Sequence, residues 1–221
     1  MYKIETHLHT NYSSICSELD ETYLIPAYLE KGFHGLAITD HYNRTTFQMK
    51  GIDLSAPGDK LTPFLEGYCR MKEAGEKAGL RIYRGAEIRF DGSANDYLLF
   101  DYPDDLLADP EALFTMGLEA FSALSRTAGA ILIQAHPFRK HCVPADPRFL
   151  DGVEVRNTHP HHDSQNHLAE VFGKECGGIQ LCGSDCHHPN HQGLGGILSE
   201  TLPENDAAFA HLLRSGAFRL I

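Results

Sequence analysis

No apolar run in this chain approaches the length of a membrane span, and no basic stretch followed by an apolar one stands at its start. These absences set the expectation of a chain that is neither membrane-bound nor secreted. The six cysteines (Cys16, Cys69, Cys142, Cys176, Cys182 and Cys186) are scattered and form no C-x-x-C pair. Without a secretory signal they read as reduced thiols rather than a disulfide framework, so a cytoplasmic location is the default expectation. Basic charge is scarce: 19 Lys and Arg face 30 Asp and Glu, a formal net charge of −11. No basic stripe emerges, so charge alone predicts no bulk nucleic-acid partner. A small anionic substrate stays open, because bound divalent cations reverse the local field inside a negative protein. Internal repeats, low-complexity tracts and a Pro/Ser-rich linker are missing, and residues 1–221 are read as one domain. The glycine-rich stretch 193–196 lacks the context of a P-loop or a dinucleotide fingerprint.

What the chain has in excess is histidine, 14 residues in all. Short apolar strands alternate with helix-like segments, a pattern that predicts a largely parallel α/β fold. The strands are expected over Tyr2–His9, Gly35–Thr39, Leu80–Arg89, Tyr97–Tyr102, Ala130–Ala135, Gly152–Arg156 and Ile179–Cys182. Helix-like stretches lie near 21–32, 61–79, 118–129, 164–176 and 205–215, and Gly32 makes a natural stop for the first. Seven strands with intervening helices suit a (β/α) barrel one strand short of the usual eight, and barrel active sites gather at strand C-termini.

Those ends carry "ETHLHT" (His7, His9), "AITDH" (Asp40, His41), "RGAEIRF" (Glu87), "IQAHPFR" (His136, Arg139), "VEVRN" (Asn157) and "LCGSDCH" (Asp185, His187). Taken singly, each has a bland reading as a polar residue closing a strand. Yet alternation sends both imidazoles of H-x-H to one face, and Asp185-x-His187 repeats the logic. A glutamate between Ala86 and Ile88 is costly unless paired or bound to a cation. Together the residues form a mixed nitrogen and oxygen set that suits Zn, Mn or Fe. It is too large for one tetrahedral ion, which implies at least two metals bridged by a carboxylate such as Glu87. Paired ions of this kind hydrolyse phosphate esters.

"HLHT", "AITDH", "GAEI", "QAHPFR" and "GSDCHH", in this order, resemble the PHP (polymerase and histidinol phosphatase) family over Ile4 to about Ile197. The resemblance implies a distorted (β/α)7 TIM-like barrel, two or three divalent ions, and phosphoesterase activity. It makes His7, His9, Glu87 and Asp185 ligands of a first metal, Glu87 and His136 ligands of a second, and His41 and His187 ligands of a third. The chain departs from the family pattern at "NYSSICSELD", where Ser13, Ser14 and Ile15 stand at the expected ligand places and Cys16, Glu18 or Asp20 are the alternatives. It departs again near "SANDYLLF", where Asp96 is the candidate for the second metal in place of a histidine.

For catalysis, Arg139 is expected to grip a phosphate, Asp40 to orient an imidazole, and Asn157 to contact substrate or water. The nucleophile would be a water that the metals acidify. If the third ion is absent, His187 or His41 would protonate the leaving oxygen. His159, His161, His162, His188 and His191 fall in rim loops and read as solvated or substrate-contacting. His34 and His211 read as surface residues. The expected partner is a small phosphorylated substrate, with no membrane, handled by a stand-alone hydrolase. Two rivals stay open: an amidohydrolase-like enzyme acting on C–N bonds, and a non-catalytic metal-binding protein.

Overall fold

A computed structural model describes residues 1–221. Ten strands form one sheet: β1 (Tyr2–Leu8), β2 (Phe33–Ile38), β3 (His41–Tyr42), β4 (Arg81–Arg89), β5 (Asp96–Phe100), β6 (Ile131–Gln134), β7 (Gly152–Asn157), β8 (Ile179–Gly183), β9 (Ile197–Ser199) and β10 (Phe218–Leu220). Their order is β10-β9-β1-β2-β4-β5-β6-β7-β8, with β3 pairing the far end of β4. All seven expected strands are present. The strands β3, β9 and β10, two or three residues each, were not expected, since so few residues carry no readable period.

The sheet curls into a nearly closed barrel. Beyond β8 the chain returns to β1 through a parallel bridge between Leu8 and Cys186. Two backbone bonds stitch the seam, Asp185 N to His7 O at 2.8 Å and His9 N to Cys186 O at 3.1 Å. Close approach there requires Gly183, where an added Cβ would sit 2.4 Å from the Cβ of His7.

The expectation of a largely parallel sheet needs one correction that matters for the site. β5 runs antiparallel to both β4 and β6. A tight connection, residues 90–95, reverses the chain after β4 without a helical crossover, so β5 must run the other way. Its first residue, Asp96, therefore reaches the same rim as the C-terminal ends of its neighbours.

Eight helices surround the sheet: α1 (Glu21–Glu30), α2 (Arg44–Met49), α3 (Leu61–Phe64), α4 (Glu66–Ala78), α5 (Pro110–Met116), α6 (Leu118–Thr127), α7 (Asn166–Cys176) and α8 (Asp206–Ser215). The Asp20 side chain accepts from the amides of Thr22 and Tyr23 to start α1, and left-handed Gly79 ends α4. The single helix expected over 61–79 is two, meeting at Leu65. The first turn of α4 lies so close to the rim that a Cβ at Gly67 would meet Thr10 Oγ1 at 2.1 Å and Asp40 Oδ2 at 2.6 Å. Opposite the rim, Phe209, Leu212 and Leu213 of α8 plug the barrel against Ile4, Tyr83, Phe100 and Ile131. That apolar end leaves the polar chemistry to the other.

Candidate metal centre

Glu87 is the hub of the rim. Fully buried near the end of β4, its carboxylate lies 3.3 Å from His7 Nε2, 3.5 Å from His9 Nε2, 2.7 Å from His41 Nδ1 and 3.1 Å from His136 Nε2. Asp185 closes the far side, its Oδ1 3.2 Å from His9 Nε2 and 3.5 Å from His7 Nε2. Three donor groups result, each with ligand atoms within 4.8 Å of one another: His7–His9–Asp185, His7–Glu87–His136 and His9–His41–His187.

The hydrogen bonds behind these histidines decide which nitrogen faces inward. His7 Nδ1 donates to Glu154 Oε1 at 2.9 Å, and His187 Nδ1 donates to the carbonyl of Asp185 at 2.8 Å. Ser14 gives its single hydroxyl proton to Asp40 at 2.7 Å, so it accepts from His9 Nδ1 at 3.1 Å. In all three rings the outer nitrogen donates outward and Nε2 is turned into the cluster, the orientation of a metal ligand. His7 and His9 even set their Nε2 atoms 3.1 Å apart. Without an ion, a proton on His7 bridges the pair; with one, both nitrogens can turn their lone pairs to it. Glu87 Oε2 and His41 Nδ1 are close but off hydrogen-bond geometry, and both are buried without a partner. The donor set therefore fits divalent ions.

Electrostatics point the same way. Burial opposes a charge on His7, yet Glu154, Asp185 and Glu87 outweigh it and hold its pKa well above the ordinary value. Burial likewise opposes ionisation of Glu87, but His7 and His41 keep its pKa well below the usual carboxylate range. His9 goes the other way: burial and the charges of His187 and His41 keep it neutral. Protons on His7 and His41 thus stand in for positive charge that the carboxylates demand. At His136, burial and Arg139 work against protonation, but Cys142 and Glu87 prevail and raise its pKa to about 9.

A ligand proton must leave before a metal binds. Below about pH 9 the His136 proton competes with the ion, and above it the competition ends. Affinity at the His7–Glu87–His136 group should therefore rise about tenfold per pH unit per displaced proton between pH 6.5 and 8.5. Calorimetry in buffers of different ionisation enthalpy reads both the affinity and the released protons. A flat affinity with no proton release would contradict this electrostatic picture.

Two of these residues also have uncommon backbone. His136 has φ 27° and Asp185 φ 52°, left-handed values that side chains other than glycine rarely adopt. Such strain persists where surrounding contacts impose it, and here the amides of both are held, by Glu154 Oε2 at 3.0 Å and by His7 O at 2.8 Å.

Four residues expected to assist the site sit as follows. Arg139 Nη2 donates to Asp185 Oδ2 at 2.7 Å and to Asn157 Oδ1 at 2.8 Å, while its Nε is buried without a partner. Asn157 is built into this frame, its amide donating to Glu154 and Asp185 at 3.0 and 3.3 Å. Asp40 touches no imidazole ring: it accepts from Thr10 and Ser14, and reaches His9 only through Ser14. Asp96 reaches the rim, but Arg89 grips both its oxygens, and Oδ2 lies 3.9 Å from His136 Nε2.

In "NYSSICSELD" the fold separates the alternatives. Ser13 bonds the carbonyl of Phe64, Asp20 caps α1, and the Glu18 carboxylate lies 3.3 Å from His188. Of the alternatives, only the Cys16 side chain lines the cavity that His41 and His187 also line. Burial opposes its ionisation, yet hydrogen bonds with those imidazoles lower its pKa to about 6. His211 is exposed as expected, whereas His34 is half-buried and accepts from the Lys3 amide at 3.3 Å.

Glu154 and Ser14 are the participants that the sequence reading missed. Glu154 stands fully buried between two valines of β7, the same signature that singled out Glu87. Ser14 carried no such signal, because a serine in a loop is unremarkable until its neighbours are known.

Barrel and rim together define an α/β-barrel protein with His, Asp and Glu groups able to hold metal ions. The PHP domain family matches residues 5–193, and the chain belongs to that family. No match was found among curated proteins. Several solved structures share the fold. A two-domain protein from Bacteroides vulgatus containing a predicted PHP-like metal-dependent phosphoesterase aligns over 100% of this chain at 15% identity and TM-score 0.71. This chain spans 64% of that protein's length. An amidohydrolase from Chromobacterium violaceum, with bound sulfate, aligns over 98% of this chain and 97% of its own at 15% identity and TM-score 0.58. Endonuclease Q, in complex with a 27-mer duplex substrate carrying an abasic lesion at the active site, aligns over 95% of this chain and 56% of its own at 13% identity and TM-score 0.57.

The endonuclease corrects one expectation. Net charge predicted no bulk nucleic-acid partner, yet a protein of this fold takes a DNA duplex as substrate. The physical reason is that the charge summed over the surface does not report the local field at a site, so a negative total does not exclude a polyanionic substrate. No helix here is long and apolar enough to cross a membrane.

Proposed function

We propose that this protein is a metal-dependent phosphoesterase that hydrolyses a phosphomonoester or phosphodiester at the Glu87 rim. The observation that carries this reading is the single buried carboxylate contacted by His7, His9, His41 and His136. His7, His9, Glu87 and Asp185 would hold a first ion, Glu87 and His136 a second, and His41, His187 and Cys16 a third. Zn, Mn and Fe all suit this mostly nitrogen and oxygen set. Ions bound there supply Lewis acidity, charge neutralisation and a water of lowered pKa.

The chain's own residues do the rest. Arg139, locked by Asp185 and Asn157, presents a guanidinium at the wall of a cavity of about 550 Å3, where it can fork a phosphate oxygen. Glu154 holds the tautomer of His7 and the backbone of His136 together. The phosphoesterase reading belongs to one domain with reduced thiols in the cytoplasm, and all six cysteines are free. A nucleic-acid end is within the substrate class, in keeping with the endonuclease neighbour. Hydrolysis of C–N bonds, which the amidohydrolase neighbour brings forward, is the second reading.

The test is a phosphate-release screen with Zn, Mn and Fe supplied separately, covering aryl phosphates, nucleotides, sugar phosphates and DNA ends, with a cyclic amide alongside. Metal-dependent turnover of a phosphate ester is expected. Turnover of the amide alone would favour the second reading, and no turnover across the panel would leave a metal-binding protein without catalysis.

A further inference from the structure

Glu5 is fully buried on β1, two residues before His7, and it takes no part in the rim. Its side chain meets α1 and the seam between β1 and the segment after β8, where five donors surround the carboxylate. Oε1 accepts the amides of Thr6, His7 and Ser184 at 3.0, 3.1 and 3.0 Å. Oε2 accepts the hydroxyls of Tyr28 and Ser184 at 3.0 and 2.6 Å. A buried carboxylate is costly to keep, and this one spends most of its capacity on backbone amides.

Successive amides of a regular strand point to opposite sides, so Thr6 and His7 can share one oxygen only where β1 is irregular. The pairing of β1 with β2 shows that irregularity. Glu5 stands opposite Leu36 and Leu8 opposite Ile38, three steps along β1 against two along β2. One extra residue of this kind, a β-bulge, inverts the facing of everything beyond it. Ile4 accordingly joins the inward cluster of Phe100 and Phe209, whereas Leu8 joins the outer cluster of Leu24 and Tyr28. In a regular strand those two residues, four apart, would share a face. The inversion is what turns His7 and His9 into the barrel.

On the metal-centre reading, we propose that Glu5 is a positioning residue whose carboxylate holds the bulge and so aims His7 and His9 at the rim. Its grip on the Ser184 amide also fixes the turn that carries Asp185, whose own amide donates to His7 O at 2.8 Å. One buried carboxylate thus sets the phase of β1 and ties it to the turn that completes the His7–His9–Asp185 group.

The experiment compares Glu5→Gln, which keeps an acceptor oxygen, with Glu5→Leu, which fills similar space and accepts nothing. Co2+ titrations of the full chain, followed by visible absorption, report affinity and ligand geometry, and thermal melts report stability. Glu5→Gln is expected to stay close to the parental affinity. Glu5→Leu is expected to lose about 10–100-fold with an altered Co2+ spectrum, as when the support of a ligand is removed. Deleting Thr6 within Glu5→Leu takes out the extra residue, so a regular strand again faces His7 and His9 inward. That variant should regain Co2+ binding whether or not Glu5→Leu folds alone. A lower melting midpoint for Glu5→Leu with parental Co2+ affinity and spectrum would make Glu5 an ordinary structural residue and overturn the proposal. A deletion variant that binds Co2+ no better than Glu5→Leu would overturn it as well. A parent chain that binds no Co2+ would instead remove the metal centre itself, and this role with it, so the two failures are told apart.

Discussion

Glu87→Gln is expected to lower metal-dependent phosphate release by about a thousandfold, equivalent to about 4 kcal/mol of lost stabilisation. The side chain keeps its shape but loses its charge, and its new amide protons face imidazole nitrogens that should bind an ion. Because Glu87 contacts four histidines from three parts of the chain, the change weakens more than one ion position at once. The fold should survive. Glu87 is the main charge that raises the pKa of His41, which loses that support once Glu87 is neutral, whereas His7 keeps Glu154 and Asp185 beside it and is not left as an unpaired buried charge. Metal content and phosphate release measured together check the prediction. A variant with parental metal content and more than a tenth of the activity would contradict Glu87 as the bridging ligand.

Gly183→Ala is expected to damage both stability and metal binding, although it removes no functional group. The new methyl would meet His7 Cβ at 2.4 Å, Glu154 Oε1 at 2.8 Å and the His7 amide at 3.2 Å. A main-chain-anchored Cβ cannot swing aside, so β1 must move away from β8. Overpacking of this sort costs about 1–3 kcal/mol. At about 2–4 °C per kcal/mol for a chain of this size, the thermal midpoint should fall by about 2–12 °C. The displaced strand carries His7 with it, and the metal affinity should drop about 10–100-fold, as when the support of a ligand is lost. Thermal melts with and without Zn2+ measure both effects. Equal midpoints for parent and variant would mean that the seam tolerates separation.

Much of the rim was legible because its signals are local. H-x-H, D-x-H and a glutamate inside an apolar strand each stand at or just beyond a short apolar run, and such a run is read from a few adjacent residues. His7, His9, Glu87, His136 and Asp185 come together in the structure from ends located in that way. Glu154 has the same signature, but its place behind His7 rather than among the inward-facing donors shows only in the fold. The seven strands are likewise visible as short apolar runs between helix-like segments, while β3, β9 and β10 are too short to show one.

The sequence by itself determined which residue types could ligate metal and at which strand ends they stand, since alternation and the cost of burying charge act over neighbouring residues. Only the tertiary structure decided how those residues are shared. The reversal of β5 places Asp96 on the rim, yet the cross-strand partner Arg89 occupies it. The loop path after β1 brings Cys16, and not Glu18 or Asp20, to the cavity that His41 and His187 line. Closure of β1 on the segment after β8 joins His7 and His9 to Asp185, almost the whole chain away. These choices depend on pairings between distant segments, whose energy lies in contacts that no local pattern records.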